Sequence, residues 1–217
     1  MLAGEASQPS QSKVEVAAAL PRDDASAPDE IDVARAREYA LLATLLTRTP
    51  DRRLLDEIAE LKVDAGPIGL AHASLAEAAR AAKPEEIERE FFELFIGIGR
   101  GEVVPYGSYY LTGFLYERPL ARLRSDLAEL GIARSDGNYE PEDRIATLCE
   151  IMAGLAGGEF PAPAGSDERI FKKHIEPWAA RFFRDLEHAP AARFYRSVGL
   201  LGRTFIEIET EAYALPA

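Results

Sequence analysis

Glu140-Pro141-Glu142-Asp143-Arg144 sets three carboxylates and a guanidinium within five residues. Paired carboxylates can share general acid and base duty, but that chemistry needs a nucleophile, a metal or a second base beside them. The neighbouring sequence supplies none. Glu142 and Asp143 are expected in the first turn of a helix running on through Ile145, where acids stabilise the N-terminal dipole. An acidic helix end can equally receive an arginine from elsewhere through charge-assisted hydrogen bonds. Pro105-Tyr106-Gly107-Ser108-Tyr109-Tyr110 concentrates three tyrosines beside a proline and a glycine, a composition that serves recognition surfaces and cores alike. Gly97 to Gly101 resembles a phosphate loop only superficially, lacking both the preceding strand of a dinucleotide fingerprint and a Gly-Lys-Ser/Thr ending. It reads as a helix terminator.

The remaining reactive residue types are sparse. His72, His174 and His188 are scattered and form no His-Glu-x-x-His pattern, so zinc chemistry lacks its ligands. His174 and Trp178 are four apart, which suits packing on one helix face. Cys149 is the single cysteine and excludes a disulfide framework or a cysteine-cluster metal site. Lying three residues before Met152 in an apolar stripe, it reads as a buried structural thiol. Neither catalysis nor a cofactor is expected.

The elements that must position these residues are helical. Of 217 residues, 47% are hydrophobic and 29% charged, enough apolar side chain for a self-sufficient core. Ile87, Phe91, Leu94, Phe95 and Ile98 recur at helical spacing, as do Leu120, Leu123, Leu127 and Leu130, and Ile145, Leu148, Met152 and Leu155. Phe171, Ile175, Trp178, Phe182 and Leu186 make the clearest stripe, followed by Leu201, Phe205, Ile208 and Ala212. Each set lines one face of a 3.6-residue period. Asp29 or Asp32 caps a helix to about Thr47, Asp51 opens one over about 51–62, and Pro67 and Pro84 open two more. Gly131 stops the Leu120 helix, Ser166 starts the Phe171 helix, and a last helix begins near Pro190. The expectation is an all-α, single-domain bundle of about nine helices over residues 31–217. Gly97 to Ser108 is an internal loop, and a hinge is expected near 154–166 that permits a domain-swapped dimer.

Residues 1–30 read as an acidic flexible tail: Ser, Gln, Ala and Pro dominate, and six acids face two bases. Such a segment buries too little to offset its ordering entropy, although a partner surface would support helix around 13–20. Lys and Arg total 25 against 37 Asp and Glu, a net charge of −12. That balance disfavours nucleic acid and anionic membranes as partners. With neither a secretory signal nor an apolar run of spanning length, a cytoplasmic protein is expected.

Taken in order, Glu90-Phe91-Phe92-Glu93-Leu94-Phe95-Ile96-Gly97, Val104-Pro105-Tyr106-Gly107-Ser108, Glu140-Pro141-Glu142-Asp143-Arg144, His174-Ile175-Glu176-Pro177-Trp178, Phe194-Tyr195 and Phe205-Ile206-Glu207 resemble the TorD/DmsD/NarJ family of cytoplasmic chaperones for molybdoenzymes. The resemblance runs over roughly residues 32–215. It implies an all-helical fold without catalysis of its own, binding the twin-arginine leader and the apo form of a redox enzyme until its cofactor is inserted. Carried over by motif, the leader surface comprises Phe91, Leu94 and Phe95, then Pro105, Tyr106, Gly107 and Ser108, then Pro141, Asp143 and Arg144. An apolar groove takes the leader's hydrophobic stretch while Glu140, Glu142 and Asp143 face its arginines. Arg144 stands where the family usually has His, and Phe91 and Tyr106 stand where it often has Trp. The implied client is formate dehydrogenase, an S- or N-oxide reductase, or nitrate reductase, with overall resemblance leaning to the first. A helical adaptor that binds a protein partner without any leader is the competing reading.

Overall fold

Asp29 accepts the Ile31 and Asp32 amides at 2.8 Å and so caps the first helix, α1 (Glu30–Thr47). Asp51 caps α2 (Arg52–Ala59) through Leu54 N–H at 2.8 Å, and prolines open α3 (Pro67–Ala81) and α4 (Pro84–Phe91). These are the starts that local side-chain chemistry dictates. The computed structural model describes residues 14–16 and 28–215, and the described residues form ten α-helices rather than about nine. The others are α5 (Gly107–Thr112), α6 (Arg118–Glu129), α7 (Ile145–Ala156), α8 (Ser166–His174), α9 (Ala179–His188) and α10 (Phe194–Ala214). A π-helical turn, Phe92–Ile96, extends α4. The all-α expectation holds, and no described helix is long and apolar enough to cross a membrane.

The core forms around α7, whose Ile145, Leu148, Cys149, Ile151 and Met152 are all fully buried. A helix apolar on every side belongs inside. It packs on α1, while α10 packs on α9 and α3. Cys149 is buried as expected, and burial pushes its thiol well above the ordinary range, away from nucleophile chemistry. The connection after α7 folds back on it: Phe160 N–H donates to the Gly154 carbonyl at 2.9 Å, and its ring occupies the space a Cβ at Gly154 would need.

Four expectations change. The Phe171–Leu186 stripe is two helices, because Pro177 lacks an amide and disfavours helix at Glu176. The chain turns over Ile175–Trp178 while both of those side chains stay buried. Ile208 is 36% exposed, and the buried position beside it is Glu209, at 2%. Glu142 and Asp143 precede α7, whose N-cap is Arg144, so they do not lie in its first turn. Val14–Val16 (β1) is an antiparallel strand on Ile132–Arg134 (β2), not helix, with Val14 2% exposed. Most of the expected 1–30 tail lies outside the described residues.

Candidate functional site

The Pro105–Ser108 loop and the Pro141–Arg144 segment, 33 residues apart at their nearest ends by numbering, are hydrogen-bonded to each other. Gly107 N–H donates to the Asp143 carbonyl at 2.9 Å, and Ser108 N–H donates to Asp143 Oδ2 at 2.7 Å. In return the Ile145 amide donates to the Pro105 carbonyl at 2.9 Å, and Tyr106 forms a bridge with Arg144. The first amides of a helix have no partner within it. Here α5 and α7 begin side by side, each drawing an acceptor from the strand of chain that leads into the other. Gly107 lets the backbone approach the Trp178 indole closely, since a Cβ there would lie 3.0 Å from the ring.

Each acid of the segment has a defined fate. Glu140 Oε2 takes Arg144 Nη1 at 2.7 Å, and Glu142 Oε2 takes Arg124 Nη2 at 2.8 Å. Asp143 is 3% exposed, and its Oδ1 has no hydrogen-bond partner. Arg144, 6% exposed, reaches inward with Nη2 to donate to the Leu46 carbonyl at 3.0 Å. It therefore caps the C-terminal end of α1, where a cation complements the dipole.

Phe91, Leu94 and Phe95 face inward. The Phe91 and Phe95 rings lie 4.9 Å apart and pack on Tyr195 at 5.7 and 5.4 Å, and Leu94 is fully buried. Tyr195 donates its hydroxyl proton to the Leu45 carbonyl at 2.9 Å, one residue from the carbonyl that Arg144 takes. The aromatic set and the acidic segment thus meet across the end of α1. Outward on the same stretch stand Phe92, 45% exposed, and Ile96, 54%. The neighbouring Glu90 is structural: it is buried and accepts the amides of Arg193, Phe194 and Tyr195 at 2.8, 3.1 and 2.6 Å, capping α10.

Beside the junction of α5 and α7 lies a cavity of about 400 Å³. Gly107, Asp143, Leu111, Pro119, Leu123 and Trp178 line it, together with Arg122, Asp126, Lys173 and His174. Phe91, Leu94 and Phe95 do not. Burial pulls His174 below the usual imidazole value despite Asp126, and its Nε2 pairs with Asp126 Oδ2 at 2.6 Å. Burial would raise Asp126, but His174 and Lys173 outweigh it and hold its carboxyl below the ordinary range. Trp178 closes the wall by donating its indole N–H to the His174 carbonyl at 2.6 Å, satisfying the end of α8. Leu111 at the end of α5 and Phe114, Leu115 and Tyr116 after it face solvent, with Phe114 69% and Tyr116 70% exposed. This run and the α6 residues carried no signal beyond ordinary helical patterning. The His174–Trp178 motif did mark the far wall. Among the described residues no group of three or more His, Cys, Asp or Glu could hold a metal.

The sequence profile of the nitrate reductase delta subunit family matches residues 62–184, a stretch that contains all of the cavity's lining residues. Chaperone protein TorD of Shewanella loihica is 24% identical over 202 residues, covering 82% of this chain and 92% of that protein. TorD of Aliivibrio fischeri is 25% identical over 59% of this chain and 65% of its own length. A protein named Probable Tat proofreading chaperone DmsD, from Haemophilus influenzae, is 28% identical over 54% of this chain and 57% of its own. A crystal structure of a redox enzyme maturation protein from Archaeoglobus fulgidus superposes with a TM-score of 0.56 over 86% of this chain and 99% of that one, at 18% identity, and so shares the fold. Since the profile takes in more than half of the chain, the protein belongs to the nitrate reductase delta subunit family, the TorD/DmsD/NarJ group of redox-enzyme maturation chaperones, rather than to any class of enzyme.

Proposed function

We propose that this chaperone works in the cytoplasm, where it binds the twin-arginine leader of an apo-molybdoenzyme and holds that enzyme until its cofactor is in place. The observation that supports this reading best is the cavity beside Gly107 and Asp143, lined in part by the exposed Leu111, after which the chain exposes Phe114, Leu115 and Tyr116. It offers a buried carboxylate beside solvent-facing apolar side chains, which is the pairing a basic motif followed by a hydrophobic stretch requires. Tyr106, Gly107, Ser108 and Asp143 take the leader in this reading. Pro105 and Pro141 shape the two segments, Glu140, Glu142 and Arg144 hold them, and Phe91, Leu94 and Phe95 support them from behind α1. The client is a formate dehydrogenase in the first instance, with an S- or N-oxide reductase as the other choice.

Affinity purification of the tagged protein from its native cytoplasm, with mass spectrometry, is the direct test. A molybdoenzyme precursor with its leader intact is the expected partner. Tyr106→Ala and Asp143→Asn should each reduce that recovery without altering the circular dichroism. Recovery of a partner that has no leader, undiminished by either change, would overturn the reading in favour of an adaptor.

A further inference from the structure

Resting on the leader reading above, we infer that β2 is an acceptor edge for an extended segment of the client beyond its leader, and that the protein's own Val14–Val16 strand occupies this edge until that segment replaces it. The strands form a sheet of two, antiparallel, with Val14 opposite Arg134, Glu15 opposite Ala133 and Val16 opposite Ile132. Val14 is 2% exposed and Ile132 4%, and both belong to the main core, where β1 rests on α7. Glu15 is exposed, as strand alternation requires. The edge thus accepts an extended backbone that buries a β-branched side chain and exposes the polar one next to it. This is recognition by strand addition, in which main-chain hydrogen bonds hold the segment and a pocket selects its side chain.

The present occupant is suited to replacement. β1 is only three residues long, and a pair of short strands is marginal by itself. What favours β1 is its covalent connection through residues 17–29 to α1, which makes its docking intramolecular. A free peptide or a second copy lacks that advantage, but a client chain held by its leader has it. Asp126, in the last turn of α6, lines the cavity, and Leu130 and Gly131 alone separate that helix from β2. Beyond β2 the chain runs on to Asp143, on the wall of the same cavity. A chain anchored in the cavity therefore meets β2 at an effective concentration that rivals the tether of β1. Until then β1 covers an edge that would otherwise invite pairing with any extended chain.

Glu15→Cys combined with Ala133→Cys puts two thiols directly opposite each other across the pair, within disulfide reach, while Cys149 stays buried. Oxidation locks β1 in place and reduction frees it. Two labelled synthetic peptides are titrated into the full-length double variant in both forms and into the parent. The first holds Arg-Arg ahead of an apolar run of about 12 residues, the length of a secretory h-region. The second continues it with about 10 Gly and Ser residues and then Val-Glu-Val-Thr-Val. In the parent and the reduced variant the added strand should tighten binding about tenfold or more, and in the locked form less than about twofold. Asp in place of its valines should remove the gain. An equal gain in the locked and reduced forms, or none in the reduced form, would overturn the acceptor edge while leaving the leader reading intact. A crosslink joining two chains would make a second copy the occupant, and no crosslink at all would take β1 off β2; either result overturns the inference. Failure of the first peptide to bind would overturn the leader reading, and this inference with it.

Discussion

Arg144 tests whether the acidic segment is built around an internal clamp. Its guanidinium spans two partners, the Glu140 carboxylate at 2.7 Å and the Leu46 carbonyl at 3.0 Å, with the side chain 8% exposed. Arg144→Ala removes the donor from a buried carbonyl, a loss of about 1–3 kcal/mol. The Glu140 pair adds little, about 0–1 kcal/mol, because Glu140 is 39% exposed and screened. Losing a cation at the end of α1 adds about 0.3–1 kcal/mol, and the emptied stem roughly 1–2 kcal/mol more. The expected destabilisation is about 3–5 kcal/mol. Arg144→Lys keeps the charge and the stem but has no planar fork, so it reaches one partner and not both. It should cost about 1–2 kcal/mol. Urea denaturation at pH 7, followed by circular dichroism, measures both variants. A leader-facing arginine would behave oppositely, with unchanged stability and altered peptide affinity. Arg144→Lys within about 0.5 kcal/mol of the parent would refute the clamp.

Other expectations follow from the same contacts. Phe182→Ala should cost about 3–5 kcal/mol, because its ring is fully buried between Trp178 and Phe183, and an unchanged melt would mean that the α9 face is not core. Glu90→Ala should cost about 2–4 kcal/mol, since three amides at the start of α10 lose one buried acceptor; hydrogen exchange at Phe194 and Tyr195 should rise selectively, and uniform exchange would argue against the cap. Asp167 is raised by burial but pulled below the ordinary carboxylate range by Tyr213 and Arg35. Its contribution is thus present above the unfolded value of about 3.9 and is lost as pH falls through the lower folded value. The fall in stability between about pH 5 and pH 2 should be shallower in Asp167→Asn, and an identical slope would contradict the assignment. His72, raised by its close pairing with the Glu38 carboxylate at 2.7 Å, contributes fully below about pH 6.5 and loses that contribution as pH rises through its folded value. The stability gap between the parent and His72→Gln should therefore be wider at pH 6 than at pH 8.5, and a constant gap would exclude the pair.

What was legible in the sequence was local. Asp29 and Asp51 accept amides of their own first turns, and Pro67 and Pro84 sit where a helix needs no amide, so their types and positions suffice to place four helices. The stripe from Phe171 to Leu186 misled because burial and helicity are separate properties. Ile175 and Trp178 stay in the core across a break that Pro177 imposes on the backbone alone. Glu209 was hidden for a different reason: its partner Arg35 lies 174 residues away, bonded at 2.8 Å, and no helical period reports a long-range ion pair. The strand at Val14–Val16 depends on Ile132–Arg134 in the same way. At the site, both motifs were visible as residue types. Their joining was not, nor was the neutralisation of Glu140 and Glu142 by Arg144 and Arg124.

That neutralisation changes what the acidic segment can do. On sequence alone, three carboxylates facing a basic peptide suggest a broad negative surface whose attraction scales with charge. In the folded chain the charges of two of the three are paired with internal arginines, each through one oxygen, and Asp143 puts Oδ2 on the Ser108 amide while its buried Oδ1 has no donor. Asp143 therefore joins structure to recognition: the carbonyl and carboxylate that cap α5 belong to the residue that forms part of the cavity wall. A cation bound there polarises the same carboxylate that holds Ser108, and through Pro105 and Ile145 the start of α7 is tied to that loop. Occupancy should consequently stiffen the entry to both helices rather than only fill a cavity. An alanine at 143 removes cap and seat together, whereas asparagine keeps an acceptor for Ser108 and removes the charge. The contrast between those two variants separates a loss of fold from a loss of recognition.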